Sequence, residues 1–162
     1  MFSEDICDLS KRVLNKARVN KLRIATAESC TGGLIAASLT ETPGSSDVLE
    51  CGFIVYSNEA KTRLLGVPRE LLERVGAVSE EVARALAKGA LENGDTQLSI
   101  AVTGIAGPSG GSVLKPVGLV HIAAARFGRE TEHRAYSFGD VGRARVRLLT
   151  VEAALKLLLR AM

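Results

Sequence analysis

Residues 22–40 read LRIATAESCTGGLIAASLT. Leu22 to Ala27 is a short apolar run, the pattern of a buried strand. It ends on Glu28-Ser29-Cys30-Thr31-Gly32-Gly33, and the LIAASLT that follows is helical in character. The stretch is therefore a strand, a tight glycine-bearing turn and a helix. A side chain on such a turn stands above the sheet, and glycines let a substrate approach the backbone closely. The N–H groups of the new helix point at the same space and suit an anion. Ser29 and Cys30 are thus candidate nucleophiles beside an expected oxyanion hole. Thr31, Gly32 and Gly33 are candidate substrate-binding residues. An ordinary turn with a capping serine accounts for the same letters without chemistry.

Working outward, residues 4–19 place Ile6, Leu9, Val13 and Leu14 on one face of an amphipathic helix. Cys51 to Ser57 is rich in strand formers, and Asn58 is placed to cap a helix carrying Lys61, Leu64 and Leu65. Pro68 opens a further helical turn. Ser79 caps a helix that Gly94 ends. Strands follow at Gln97–Thr103, Leu119–Arg126 and Glu132–Phe138, the last two joined by a hairpin over Phe127–Glu130. Arg143 to Met162 is a long helix. Helices and strands alternate at first, and then two strands follow directly. That order predicts an α/β fold, a three-layer α/β/α sandwich around a mixed, mostly parallel sheet with an antiparallel edge. With no internal repeat or linker, residues 1–162 read as a single domain. Ligands of such sheets sit beyond the carboxyl ends of the strands.

Composition narrows the function. Aromatic residues are 4% with no Trp, which argues against a stacking platform for single-stranded nucleic acid. Lys and Arg number 21 against 18 Asp and Glu, a net charge of +3 that is too small to imply a nucleic-acid partner. Cys7, Cys30 and Cys51 cannot all pair, and their spacing fits no zinc pattern. The N-terminus lacks the apolar core of a signal peptide, and no apolar run is long enough for a membrane helix. The expectation is a cytoplasmic protein needing no metal or cofactor, with neither a nucleic acid nor a membrane as partner. The last helix carries apolar residues on both faces, which favours a homo-oligomer.

A serine nucleophile needs a base. The two histidines, His121 and His133, lie in an apolar strand and near a hairpin, with no telling context. A lysine serves when burial or a nearby cation lowers its pKa. Lys61 follows the strand that ends at Tyr56-Ser57, so Tyr56 and Lys61 can reach the crevice together. The second glycine-rich loop, Thr103-Gly104-Ile105-Ala106-Gly107-Pro108-Ser109-Gly110-Gly111, exposes many backbone N–H groups and suits a phosphate or carboxylate. It is neither a Walker loop nor a dinucleotide fingerprint.

Taken together, TAESCTGGLIAASLTETPGSS, YSNEAKTRLLGV, GAVSEEVARALAKGA and AVTGIAGPSGGSVLKPVG closely resemble the CinA C-terminal domain family. The likeness runs over residues 5–160. Enzymatic members of that family are nicotinamide-nucleotide amidohydrolases. The resemblance implies hydrolysis of the carboxamide of nicotinamide mononucleotide (NMN) to nicotinate mononucleotide and ammonia, in pyridine-nucleotide recycling. It implies a Ser/Lys mechanism without metal and a small-molecule nucleotide as substrate. Carried onto this chain, the catalytic residues are Ser29, Lys61 and Tyr56. The substrate-binding residues are Thr31, Gly32, Gly33, Thr103, Gly104, Gly107 and Arg143. Because SFGDVGRARVR is slightly longer than the commoner form, Arg145 and Arg147 compete with Arg143. Cys51-Gly52 stands where the family often has Gly-Gly. Longer relatives carry a further N-terminal domain, and this chain is expected to be a stand-alone form. A non-catalytic binding protein linked to competence or DNA damage, and an amidase for another nucleotide, are the competing readings.

Overall fold

A computed structural model describes residues 2–162. The elements are α1 (Glu4–Val19), β1 (Ile24–Glu28), α2 (Leu34–Thr40), β2 (Leu49–Ile54), α3 (Asn58–Leu65), α4 (Arg69–Val75), α5 (Glu80–Asn93), β3 (Leu98–Gly104), β4 (Leu119–Arg126), β5 (Glu132–Ser137) and α6 (Arg143–Ala161). The sheet order is β2-β1-β3-β4-β5. β1 pairs in parallel with β2 and β3, whereas β3–β4 and β4–β5 are antiparallel. Four strands therefore run one way and β4 alone runs back, which is the mixed sheet with an antiparallel edge that the pattern predicts.

The two faces of the sheet differ in side-chain size. Ile24, Ile100, Val102 and Ile122 pack with α1, α2 and α6 through Leu14, Leu39, Leu155 and Leu158. On the other face, Ala25, Ala27, Ala101 and Ala123 meet Ala83, Ala87 and Ala90 of α5. Small residues on both sides let α5 lie close to the strands. Ser99 Oγ donates to Ala87 O at 2.6 Å across this contact. α5 also lies close to α3: a Cβ built on Gly89 would stand 2.1 Å from Leu65 O. This packing fixes α3, and with it Lys61, against the sheet.

Local signals explain the ends of the elements. Ser3 and Ser79 cap α1 and α5 with their hydroxyls. α3 is capped by Ser57, whose Oγ accepts from Ala60 N at 3.1 Å, and Asn58 is its first helical residue. The cap thus lies one residue before the Asn58 that the sequence suggests. The extended backbone of Ser57 leaves its hydroxyl free to turn onto the helix. β2 also ends earlier than its apolar pattern suggests. Val55 and Tyr56 leave the sheet, and their carbonyls turn toward α3. Among the described residues, no helix is long and apolar enough to cross a membrane, and the three cysteines are unpaired.

Candidate active site

The turn after β1 is built around Glu28. Its side chain is fully buried and accepts four hydrogen bonds. One oxygen takes Thr31 Oγ1 at 2.7 Å, Gly33 N at 2.9 Å and Ile35 N at 3.0 Å, and the other takes Ala36 N at 2.9 Å. Gly32 and Gly33, with φ of 62° and 100°, give the backbone the left-handed bend that this needs. The chain's own carboxylate thus occupies the N-terminus of α2, and those N–H groups are not free for a substrate anion. Gly32 N is also taken, by Ser29 O at 3.1 Å. The structure accordingly does not place Thr31, Gly32 or Gly33 on the lining of the cleft, and Glu28 takes the Gly33, Ile35 and Ala36 amides expected to meet an anion.

Ser29 faces the opposite way. Its Oγ lies 3.2 Å from Nζ of Lys61, which projects from α3 and is 2% exposed. Lys61 Nζ also donates to Val55 O at 3.0 Å and Tyr56 O at 3.2 Å. Burial lowers the Lys61 pKa, and the Cys30 thiol partly opposes that shift. The partner set has a chemical consequence. Two carbonyls can only accept, and a neutral amine has two hydrogens and one lone pair. With both hydrogens on the carbonyls, the lone pair is left for the Ser29 hydroxyl proton. A serine nucleophile and its base require a contact of this kind.

The pair opens into a cleft of about 210 Å³ at the carboxyl ends of β1 and β3. Its walls include Tyr56, Asn58, Ala77, Thr103, Gly104 and Arg143. Thr103 Oγ1 donates to Ala77 O at 2.8 Å and so holds the facing wall. Arg143 spans the mouth, donating to Tyr56 Oη and to Gly107 O, each at 2.9 Å. Gly107 thus touches the site through its carbonyl only. The Tyr56 ring is at the mouth, and its contact with the Lys61 amine is made by its main chain. Other depressions include one of about 670 Å³ between α1 and α6 and one of about 230 Å³ between α3 and α4. Neither is lined by a serine, a cysteine or a histidine.

Residues 7–162 match the family model of the CinA C-terminal domain. The chain belongs to this family. A CinA-like protein of Anaeromyxobacter dehalogenans is 50% identical over 159 residues, covering 98% of this chain and 38% of that protein. A CinA-like protein of a Geobacter species is 48% identical over 155 residues, covering 96% and 37%. The chain spans a little over a third of the length of these curated relatives. Among solved structures, a competence/damage inducible protein from Agrobacterium tumefaciens superposes with a TM-score of 0.97 at 47% identity, covering 99% of this chain and 97% of that one. A CinA superfamily protein from Escherichia coli gives 0.92 at 35% identity, covering 100% and 94%.

The remaining candidates sort by geometry within this CinA domain. Of the three arginines, Arg143 lines the cleft. Arg147 lies behind the turn, donating to Thr31 O at 2.7 Å, and Arg145 points to solvent. Cys30 is buried and its thiol is pushed up to about 12, first by burial and then by the Glu28 charge, so it holds its proton at neutral pH. His121 Nδ1 and His133 Nε2 lie 3.0 Å apart, and His133 Nδ1 is 3.4 Å from Glu80. Burial lowers both histidine pKa values, and neither ring lines the cleft. No group of three or more His, Cys, Asp or Glu suited to a metal occurs among the described residues. Sequence reasoning missed Glu28, Asn58 and the Ala77–Val78 wall. For Glu28 a signal was present: an acid directly before a turn that ends in Gly-Gly and a helix.

Proposed function

We propose that this protein hydrolyses the carboxamide of a pyridine nucleotide, NMN being the first choice of substrate. One observation carries the reading: Lys61 Nζ stands 3.2 Å from Ser29 Oγ, buried, with its other contacts on carbonyls. Ser29 Oγ attacks the amide carbon as its proton passes to Lys61. The tetrahedral intermediate expels nitrogen, which takes that proton and leaves as ammonia, and the nicotinoyl ester remains on Ser29. Water then attacks the ester, again giving a proton to Lys61. Collapse releases the carboxylic acid, and Lys61 returns the proton to Ser29 Oγ. No metal is needed for this sequence.

Size and charge support the nucleotide. Pockets for whole drug-sized ligands run about 300–1,000 Å³, and this cleft is about 210 Å³. It suits a pyridine ring with its amide, leaving ribose and phosphate at the mouth. Arg143 stands there, the one cation besides Lys61 among the lining residues, and its planar fork suits a phosphate. The test is ammonia release from NMN, nicotinamide riboside, NAD and glutamine by wild type and by Ser29→Ala. The expected result is release from NMN that Ser29→Ala abolishes. Release from glutamine instead would move the substrate to another amide. Near-normal turnover of NMN by Ser29→Ala would remove the serine mechanism.

A further inference from the structure

We propose that Glu28 is a positioning residue for the Ser29–Lys61 pair: it ties together the two segments that hold serine and lysine in contact. The proposal rests on the Ser/Lys reading above. Ordinary helix capping uses one side chain at the residue before the helix and satisfies one orphan donor. α2 has Gly33 there, with no side chain to offer. The acid arrives instead from the last residue of β1, reaches across the turn, and takes three amides and a hydroxyl.

Ser29 sits inside the ring that these bonds close. Its other ties are few: Ser29 N donates to Val102 O at 3.2 Å and Ser29 O accepts from Gly32 N. The turn has two left-handed glycines in succession, and besides Glu28 it is held at Thr31 O by Arg147 at 2.7 Å. The main chain of Glu28 serves the other partner. Glu28 O accepts from Val55 N at 2.9 Å, and Val55 O in turn holds Lys61 Nζ. One residue thus grips the serine's turn with its side chain and the lysine's anchor with its carbonyl. No basic side chain forms an ion pair with Glu28 among the described residues. Burying a carboxylate without a cation is costly, and stability alone is better served by an apolar residue. The cost is consistent with a demand for geometry.

The variant Glu28→Gln keeps the shape and replaces one acceptor oxygen by an NH₂ group that cannot accept. A shift of about 1 Å between reacting groups costs on the order of 100-fold. Two quantities are measured, the rate at which phenylmethanesulfonyl fluoride modifies Ser29, followed by intact mass, and kcat and KM for NMN. In Glu28→Gln both the labelling rate and kcat should fall together by about 10- to 100-fold. KM should stay within about twofold, and the pH midpoint of labelling should not move, because the Lys61 carbonyl partners are untouched. Labelling at the wild-type rate in a folded Glu28→Gln overturns the proposal, even where Tm drops, and leaves the serine reading standing. If Glu28→Gln does not fold, Thr31→Val decides, since it removes only the 2.7 Å bond to Glu28. It should slow labelling severalfold, and an unchanged rate overturns the proposal. Wild-type protein that is not labelled at Ser29, together with a Ser29→Ala that still turns over, overturns both readings.

Discussion

Replacing Lys61 by arginine separates a base from a mere cation. An ordinary lysine titrates at 10.5, so at pH 7 roughly one in three thousand is neutral. Burial to 2% exposure, with no carboxylate pairing it among the described residues, shifts the equilibrium toward the neutral amine. Arginine keeps the charge but stays protonated in proteins. General-base catalysis contributes about 10²–10⁴-fold, so kcat for Lys61→Arg should fall by that factor. Lys61→Met, which fills the same space without a base, should be equally slow. The assay is ammonia release from NMN, with circular dichroism and Tm to show that each variant folds. In wild type, kcat/KM should rise with pH through a lowered lysine pKa, and this limb should vanish in both variants. A Lys61→Arg enzyme keeping more than about a tenth of wild-type kcat, with the loss in KM instead, would refute the base role and make Lys61 a binding residue.

Lys61 should also show in stability. Its folded pKa lies below the unfolded value, so between the two the unfolded chain binds more protons and stability rises with pH. The Tm difference between wild type and Lys61→Met should therefore shift in favour of wild type as pH rises toward 10.5, and a pH-independent difference would count against a perturbed lysine. Cys30→Ala should keep most activity, since the thiol is protonated at neutral pH; an inactive, folded Cys30→Ala would reopen the cysteine route. Arg143→Ala should lower kcat/KM for NMN by about 10- to 150-fold, from the loss of about 1.5–3 kcal/mol of charge-assisted bonding, while nicotinamide riboside is little affected; equal losses on both would mean that Arg143 does not meet the phosphate. Gly89→Ala drives a methyl into Leu65 O and should destabilise the fold by about 3 kcal/mol, read as a lower urea midpoint.

Much of this molecule is legible in the sequence because its local signals agree. The period of residues 4–19, the serine caps at Ser79 and the glycine stop at Gly94 each depend on neighbours within a few positions, and the structure follows them. The sheet order is less local, yet a strand-turn-helix opening and a direct β4–β5 hairpin constrain it. Arg143 and Ser29 are 114 residues apart, and the topology brings them together at the carboxyl ends of the strands. What could not be read was the use of each turn amide. The letters SCTGGL announce a helix N-terminus, and a helix N-terminus announces an anion. That the anion is Glu28, from the chain itself, depends on which face the last residue of β1 presents. Ala27 packs toward α5, so the alternation of the strand turns Glu28 toward α2.

The edge position of β2 explains how a lysine comes to be buried at this place. β2 is an edge strand and gives up its hydrogen-bonding pattern after Ile54. Val55 N is still held by Glu28 O, but Val55 O and Tyr56 O are released from the sheet and need donors. An apolar residue at position 61 would leave two carbonyls unpaired at about 1–3 kcal/mol each where they are shielded from water. An arginine would satisfy them but could not give up its charge. Lysine satisfies both with two hydrogens and keeps a lone pair for Ser29. The frayed end of an edge strand is thus what makes a buried amine tolerable, and its tolerance in the neutral form is what fits it to take a proton.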